Sequence, residues 1–253
     1  MVLFLEGLKN KMSTVKNYLV SAVRPTQNGW MTEKSSDLHL SYLEMYKMSL
    51  ASFRKFLKEP FESILWTDPT QDTDTYTVDN WNAIKKLWAS EPCNILWAGA
   101  DTLMIQPTSL FGQFDEYRLF NYTDPRATPQ FSHYFNDDLQ YYSSNMSKEV
   151  WELGESLWAQ RESSPERLWG FDQSRHNHMF WSQNIPEDRV LRPDIFFQAF
   201  SMRGIDPEVI AWHEQWNKCS FNQAHILHFA GSRGSVAVIN VMKEFCNQLD
   251  IQL

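Results

Sequence analysis

Two hydrophobic rhythms alternate over the first 110 residues. Residues 16–23 form a β-rich run, Lys16-Asn-Tyr-Leu-Val-Ser-Ala-Val23, stopped by Pro25 and Gly29, and predict a first strand ending in a loop. Residues 37–58 then repeat apolar side chains at helical spacing (Leu40, Leu43, Met48, Phe53, Phe56, Leu57), with Ser36 or Asp37 placed to cap the start and Pro60 beyond the end. A second strand, 61–66, is cut off by Thr67-Asp68-Pro69. A second helix, 78–90, carries Trp81, Ile84, Leu87 and Trp88 on one side. A third strand, 94–98, runs into Gly99-Ala100-Asp101, and Leu103-Met-Ile105 is apolar again.

Strands separated by a dozen or more residues with a helix between them predict parallel pairing through right-handed crossovers. The second half is more mixed. Strands are predicted near 117–122 and 136–144, helices over 148–160 and 173–183, a β-like run at 224–231 and a terminal helix over 236–249. No repeat, low-complexity tract or linker divides the chain. The expectation is a single α/β domain, 1–253, built on a Rossmann-like, mainly parallel mixed sheet flanked by helices. In such sheets ligands sit at the carboxyl ends of strands, which points to Arg24, Asp68 and the Gly99-Ala100-Asp101 turn.

Composition narrows the field. The chain has 253 residues, 43% of them apolar, enough to bury a substantial core. With 23 Lys and Arg against 31 Asp and Glu its formal net charge is -8, and no basic block occurs, which argues against a general nucleic-acid surface. Three widely spaced cysteines support neither a disulfide framework nor a thiolate zinc site. The apolar start is interrupted by Glu6, and no run approaches the length of a membrane span, so a soluble, cytoplasmic protein is expected. No G-x-G-x-x-G follows the first strand and no P-loop is present, which disfavours a dinucleotide site and a P-loop NTPase. Aromatic residues reach 15%, with 11 Trp, a content that suits core filling and also sugar stacking.

Three segments carry candidate chemistry. At the exit of the third strand, Asp101 follows two small residues that let a ligand approach the backbone. It suits either a hard divalent ion or the simple capping of a turn. His225 and His228 stand three apart, so on a strand only one of them can face a given site. Gly231 and Arg233 follow in a loop suited to a diphosphate, whose charge backbone N–H groups and a guanidinium can hold. Asp172 and Gln173 open a predicted helix, where Asp172 can cap the helix or take a proton from an attacking hydroxyl.

Taken in order, these segments resemble the GT-A family of nucleotide-sugar glycosyltransferases. That family's pattern is a strand ending in D-x-D, a downstream D-Q-x-x-x-N helix start and a late H-x-x-G loop. Here they read Gly99-Ala100-Asp101, Asp172-Gln173-Ser174-Arg175-His176-Asn177 and His228-Phe229-Ala230-Gly231. The resemblance spans roughly residues 16–234. It implies a metal-dependent transferase that moves a sugar from a nucleoside diphosphate, commonly UDP, to a hydroxyl acceptor, with Mn2+ or Mg2+ held by Asp101 and His228. Asp172 and Gln173 are then catalytic. Arg24, Asp68, Gly99, Ala100, Gly231 and Arg233 serve the nucleotide and diphosphate, and Asn136, Asp137 and Asp138 line the acceptor or sugar wall. One departure stands out: Gly99 replaces the leading aspartate of D-x-D. Two other readings share the fold, a sugar-phosphate nucleotidyltransferase and a non-catalytic carbohydrate- or nucleotide-binding protein, and Gly99 is the feature that keeps the second open.

Overall fold

The computed structural model describes residues 15–23, 35–67, 73–122, 135–163, 195–198, 210–211, 214, 219–229 and 236–253. In chain order the elements are β1 (Lys16–Ala22), α1 (Ser35–Phe56), β2 (Glu62–Trp66), α2 (Thr73–Ser90), β3 (Cys93–Ala98), β4 (Thr102–Met104), β5 (Arg118–Tyr122), β6 (Phe135–Tyr142), α3 (Glu149–Ser163), β7 (Phe196–Gln198), β8 (Ile226–His228) and α4 (Val236–Gln248). The helix expected over 173–183 lies outside the described residues. The short strand β7 has no counterpart in the sequence reading, because Phe196-Phe197-Gln198 is too brief to display a period.

The main sheet has the order β2-β1-β3-β6-β5. β1 pairs in parallel with both β2 and β3, and β6 and β5 extend the sheet antiparallel beyond β3. Tyr18 to Ser21 are all buried, as a central strand covered on both faces requires. On one face Tyr18, Val20, Ile95 and Tyr142 meet Trp81 and Ile84 of α2 and Trp151 of α3. On the other, Leu19, Leu96, Ala98 and Leu139 meet Phe53 of α1. The Trp151 ring stacks on Tyr142 at 5.3 Å and meets Trp81 edge-on at 4.7 Å. Such contacts each contribute about 0.5–1.5 kcal/mol beyond simple area burial.

A second sheet, β4-β8-β7, covers the α1 side. Met104, Phe196 and Ile226 join the cluster beneath the main sheet. Leu103, Phe197 and Leu227 face the opposite way, toward Met45 and Met48 of α1 and Val238, Met242 and Cys246 of α4. The small sheet is thus apolar on both faces and binds α4 to the rest of a single α/β domain. No helix among the described residues is long and apolar enough to cross a membrane.

The chain passes from β1 to β2 on one side, then returns across β1 to β3 on the other, with α1 and α2 on opposite faces. That reversal opens the sheet at the carboxyl ends of β1 and β3. The segment 99–101 leaves β3 at this point.

Candidate metal centre

The carboxyl end of β3 gathers three potential metal ligands, Asp101, Asp138 and His228, whose ligand atoms all lie within 4.8 Å of one another. His228 Nε2 is 3.0 Å from Asp138 Oδ2 and 3.6 Å from Asp101 Oδ1. The imidazole is buried, the Asp101 side chain is 15% exposed and that of Asp138 37%, so the cluster opens to solvent on its carboxylate side.

Each ligand is positioned by main-chain pairing. The Gly99 N–H donates to the Asp138 carbonyl at 2.7 Å, which carries the β3–β6 ladder one step past the Ala98–Leu139 pair. Asp101 sits in a turn closed by Thr102, whose N–H and hydroxyl both donate to the Gly99 carbonyl, at 3.2 and 2.8 Å. The Phe229 N–H donates to the Asp101 carbonyl at 2.9 Å, and His228 lies opposite Thr102 in the antiparallel β4–β8 ladder. Three segments from distant parts of the sequence, the β3–β4 turn, β6 and β8, therefore fix the cluster through their backbones, the kind of support a preorganised site needs.

The residues fit a divalent cation. Metal–ligand bonds of about 2.1 Å place adjacent octahedral ligands about 3 Å apart and opposite ones about 4.2 Å apart. The 3.0 and 3.6 Å separations match neighbouring positions on one ion. Two carboxylates and one imidazole suit Mn2+ or Mg2+, with the nitrogen favouring the former. Gly99 adds a steric observation: a Cβ built on it would come within 3.0 Å of Asp101 Oδ1 and 3.1 Å of Asp138 Oδ1. Both carboxylates close directly over the glycine.

Among the residues singled out from the sequence, Gly99, Ala100, Asp101, Asp138 and His228 come together here. Ala100 is buried against Val23 and Tyr46. Asn136 and Asp137 lie on β6, the strand that delivers Asp138. Arg24, Asp68, Asp172, Gln173, Gly231 and Arg233 lie outside the described residues. The two histidines have separate partners, as their spacing demands. His225 Nδ1 is hydrogen-bonded to the Thr108 hydroxyl at 2.6 Å, whereas His228 faces the carboxylates. Asp138 was placed by sequence on an acceptor wall, and its nearness to Asp101 was not foreseen. The available signal is the two-residue period of β6, which sets Asp138 on the same face as Gln140 and Tyr142.

No protein-family model matches the chain, and no curated protein sequence matches it either. Solved structures do resemble it. A glycosyltransferase involved in the glycosylation of the major capsid of PBCV-1 superposes with a TM-score of 0.51 at 12% identity, over 90% of this chain and 99% of that one. The bifunctional glycosyltransferase WbbM gives 0.48 at 10% identity, over 88% of this chain and 47% of its own. The galactosyltransferase LgtC, solved with donor and acceptor sugar analogues, gives 0.47 at 12% identity, over 93% and 97%. The first of these likenesses, spanning nearly the whole of both chains, shows that this protein has a glycosyltransferase-like α/β fold.

Proposed function

We propose that the protein is a metal-dependent glycosyltransferase that moves a sugar from a nucleoside diphosphate, UDP in the first instance, to a hydroxyl acceptor. The observation that carries this reading is the convergence of Asp101, Asp138 and His228 at the sheet's carboxyl edge, in a fold similar to that of a glycosyltransferase. Fold alone would not suffice.

In this reading Asp101, Asp138 and His228 hold the divalent ion, which when bound supplies charge neutralisation for the departing diphosphate. Residues 1–110 form the nucleotide-binding half and 111–253 the acceptor side. Arg24 and Asp68 meet the nucleotide at the strand ends, while Gly231 and Arg233 close on the diphosphate and add positive charge where negative charge develops. Asp172 accepts the proton of the acceptor hydroxyl as its oxygen forms the new bond to the sugar carbon. The old bond breaks with its electron pair going to the nucleoside diphosphate. Gln173 orients the donor sugar, and Asn136 and Asp137 face the acceptor.

Titration calorimetry with UDP- and GDP-sugars, with and without Mn2+, tests the proposal. Metal-dependent nucleotide binding accompanied by slow donor hydrolysis is the expected result. Nucleotide binding indifferent to the metal, with the donor left intact, would replace the transferase with a binding protein. Asp172→Asn, which caps a helix about as well as Asp, should leave the melting temperature nearly unchanged while transfer falls by roughly 10²–10⁴.

A further inference from the structure

Gly99 occupies the position at which the resembled motif carries an aspartate, and taken by itself the substitution reads as a lost carboxylate. The geometry gives it another meaning. The Cβ of any larger residue at 99 would stand 3.0 Å from Asp101 Oδ1, 3.1 Å from Asp138 Oδ1 and 3.3 Å from Asp138 Cβ. Each is closer than an ordinary van der Waals contact. A side chain at 99 would press on Asp101 Oδ1 and on both Oδ1 and Cβ of Asp138, and each neighbour would have to give way by a few tenths of an ångström. Asp138 is the cross-strand neighbour of Gly99, tied to it by the 2.7 Å hydrogen bond from the Gly99 N–H.

We infer that Asp138 supplies from β6 the carboxylate that position 99 on β3 lacks, and that residue 99 is glycine because Asp138 needs the space. This inference rests on the reading of Asp101, Asp138 and His228 as a metal centre. Under it the site keeps two carboxylates, one of them delivered from β6 instead of β3. Aspartate at 99 then competes with aspartate at 138, since a third carboxylate would crowd two others both sterically and by like charge.

The test is direct binding of Mn2+ alone, followed by electron paramagnetic resonance and calorimetry, with circular dichroism to confirm folding. Wild type should bind Mn2+. Asp138→Asn, which preserves size, should weaken binding by at least about 10-fold, the lower end of what losing even a supporting partner costs a metal site. Asp138→Gly should do the same. Gly99→Asp alone should also bind poorly. Gly99→Asp combined with Asp138→Gly should recover affinity to within a few-fold of wild type. If wild type binds no Mn2+ or Mg2+, the metal centre itself is refuted and this inference with it. If wild type binds and Asp138→Asn binds equally well, the metal centre stands on Asp101 and His228 and the relocation of the ligand is refuted. Should the double variant fold and bind no better than Asp138→Gly, the exchange between positions 99 and 138 is overturned. Should it fail to fold, the Asp138→Asn titration decides.

Discussion

The two ends of the β1–β3 strand pair carry charged clusters of opposite character. At the amino end Lys16 Nζ lies 2.8 Å from Glu91 Oε2, and Tyr18 donates its hydroxyl to Glu91 Oε1 at 2.6 Å. One cation meets one carboxylate, and the Lys16 and Glu91 side chains are 47% and 32% exposed. These hydrogen bonds and charges push the Lys16 pKa up and hold the Glu91 carboxyl below its usual range. At the carboxyl end two carboxylates gather around one buried imidazole. Gathering like charges around a buried group is costly unless a cation joins them. The first cluster is a structural ion pair, and the second is the donor set of the candidate metal centre.

One isosteric change at each end should separate the two clusters most strongly. Asp101→Asn should lower metal-dependent donor turnover by about 10² or more, the scale of one lost electrostatic contact to a transition state. Glu91→Gln should leave turnover at the wild-type value. Steady-state assays with a UDP-sugar and Mn2+ measure both, and equal losses in the two variants would erase the distinction.

Heat should separate the two ends next. A ligand present at 100 times its dissociation constant stabilises a folded protein by about 2.7 kcal/mol, and for a chain of this size that is a rise of about 5–10 °C in melting temperature. Saturating Mn2+ should raise the melting temperatures of wild type and Glu91→Gln by that amount and leave Asp101→Asn almost unmoved. Differential scanning fluorimetry across a Mn2+ titration gives the answer, and an equal rise in Asp101→Asn would move the ion elsewhere.

What the sequence disclosed follows the range of the interactions involved. β1, β2 and β3 with their helices were readable because each is announced by its own local period, and stops such as Pro25 and Pro60 bound them. Asp101 and His228 were readable because each belongs to a short pattern with small residues, Gly99 and Ala100 before Asp101 and Ala230 and Gly231 after His228. Asp138 belongs with them only through the antiparallel register of β3 and β6, in which Ala98 faces Leu139 across a long stretch of chain. No local spacing encodes that register. Gly99 shows the same limit: from sequence it is a missing carboxylate, and the packing of Asp101 and Asp138 over it supplies a reason for the glycine. β7 escaped notice for the opposite reason, since its three residues owe their conformation to pairing with β8.

The amino end also makes a prediction for alkaline solution. Cys93, opposite Lys16 in the β1–β3 ladder, has its thiol pushed up to about 11, chiefly by burial and then by the Glu91 charge, and burial raises Cys246 to about 11 as well. In the unfolded chain both thiols ionise near about 8.5. The folded state therefore binds more protons between those values, and stability falls as pH rises through that window. The melting temperature should decline from about pH 8.5 to 11, and Cys93→Ala should flatten the slope while lowering the starting value. An unchanged slope in that variant would clear Cys93 of the effect.

The smallest effect belongs to the ion pair itself. The Glu91 carboxyl is held low by its hydrogen bonds to Lys16 and Tyr18, so the folded protein favours the ionised form. Its contribution is present above the unfolded carboxylate range, about 4.3, and is lost as pH falls through the lower folded value. Both side chains are substantially solvent-exposed, so the contribution is modest and screened by salt. Glu91→Gln should lower the melting temperature slightly at neutral pH and low ionic strength. The gap from wild type should narrow when salt rises toward 1 M, and close when the pH is taken below the folded carboxyl's titration. Paired melts across pH 2–7 at two salt concentrations measure it. A gap that persists at low pH and high salt would mean that Glu91 acts through packing at the start of β3, and the amino-end cluster would no longer serve as the electrostatically matched member of the pair.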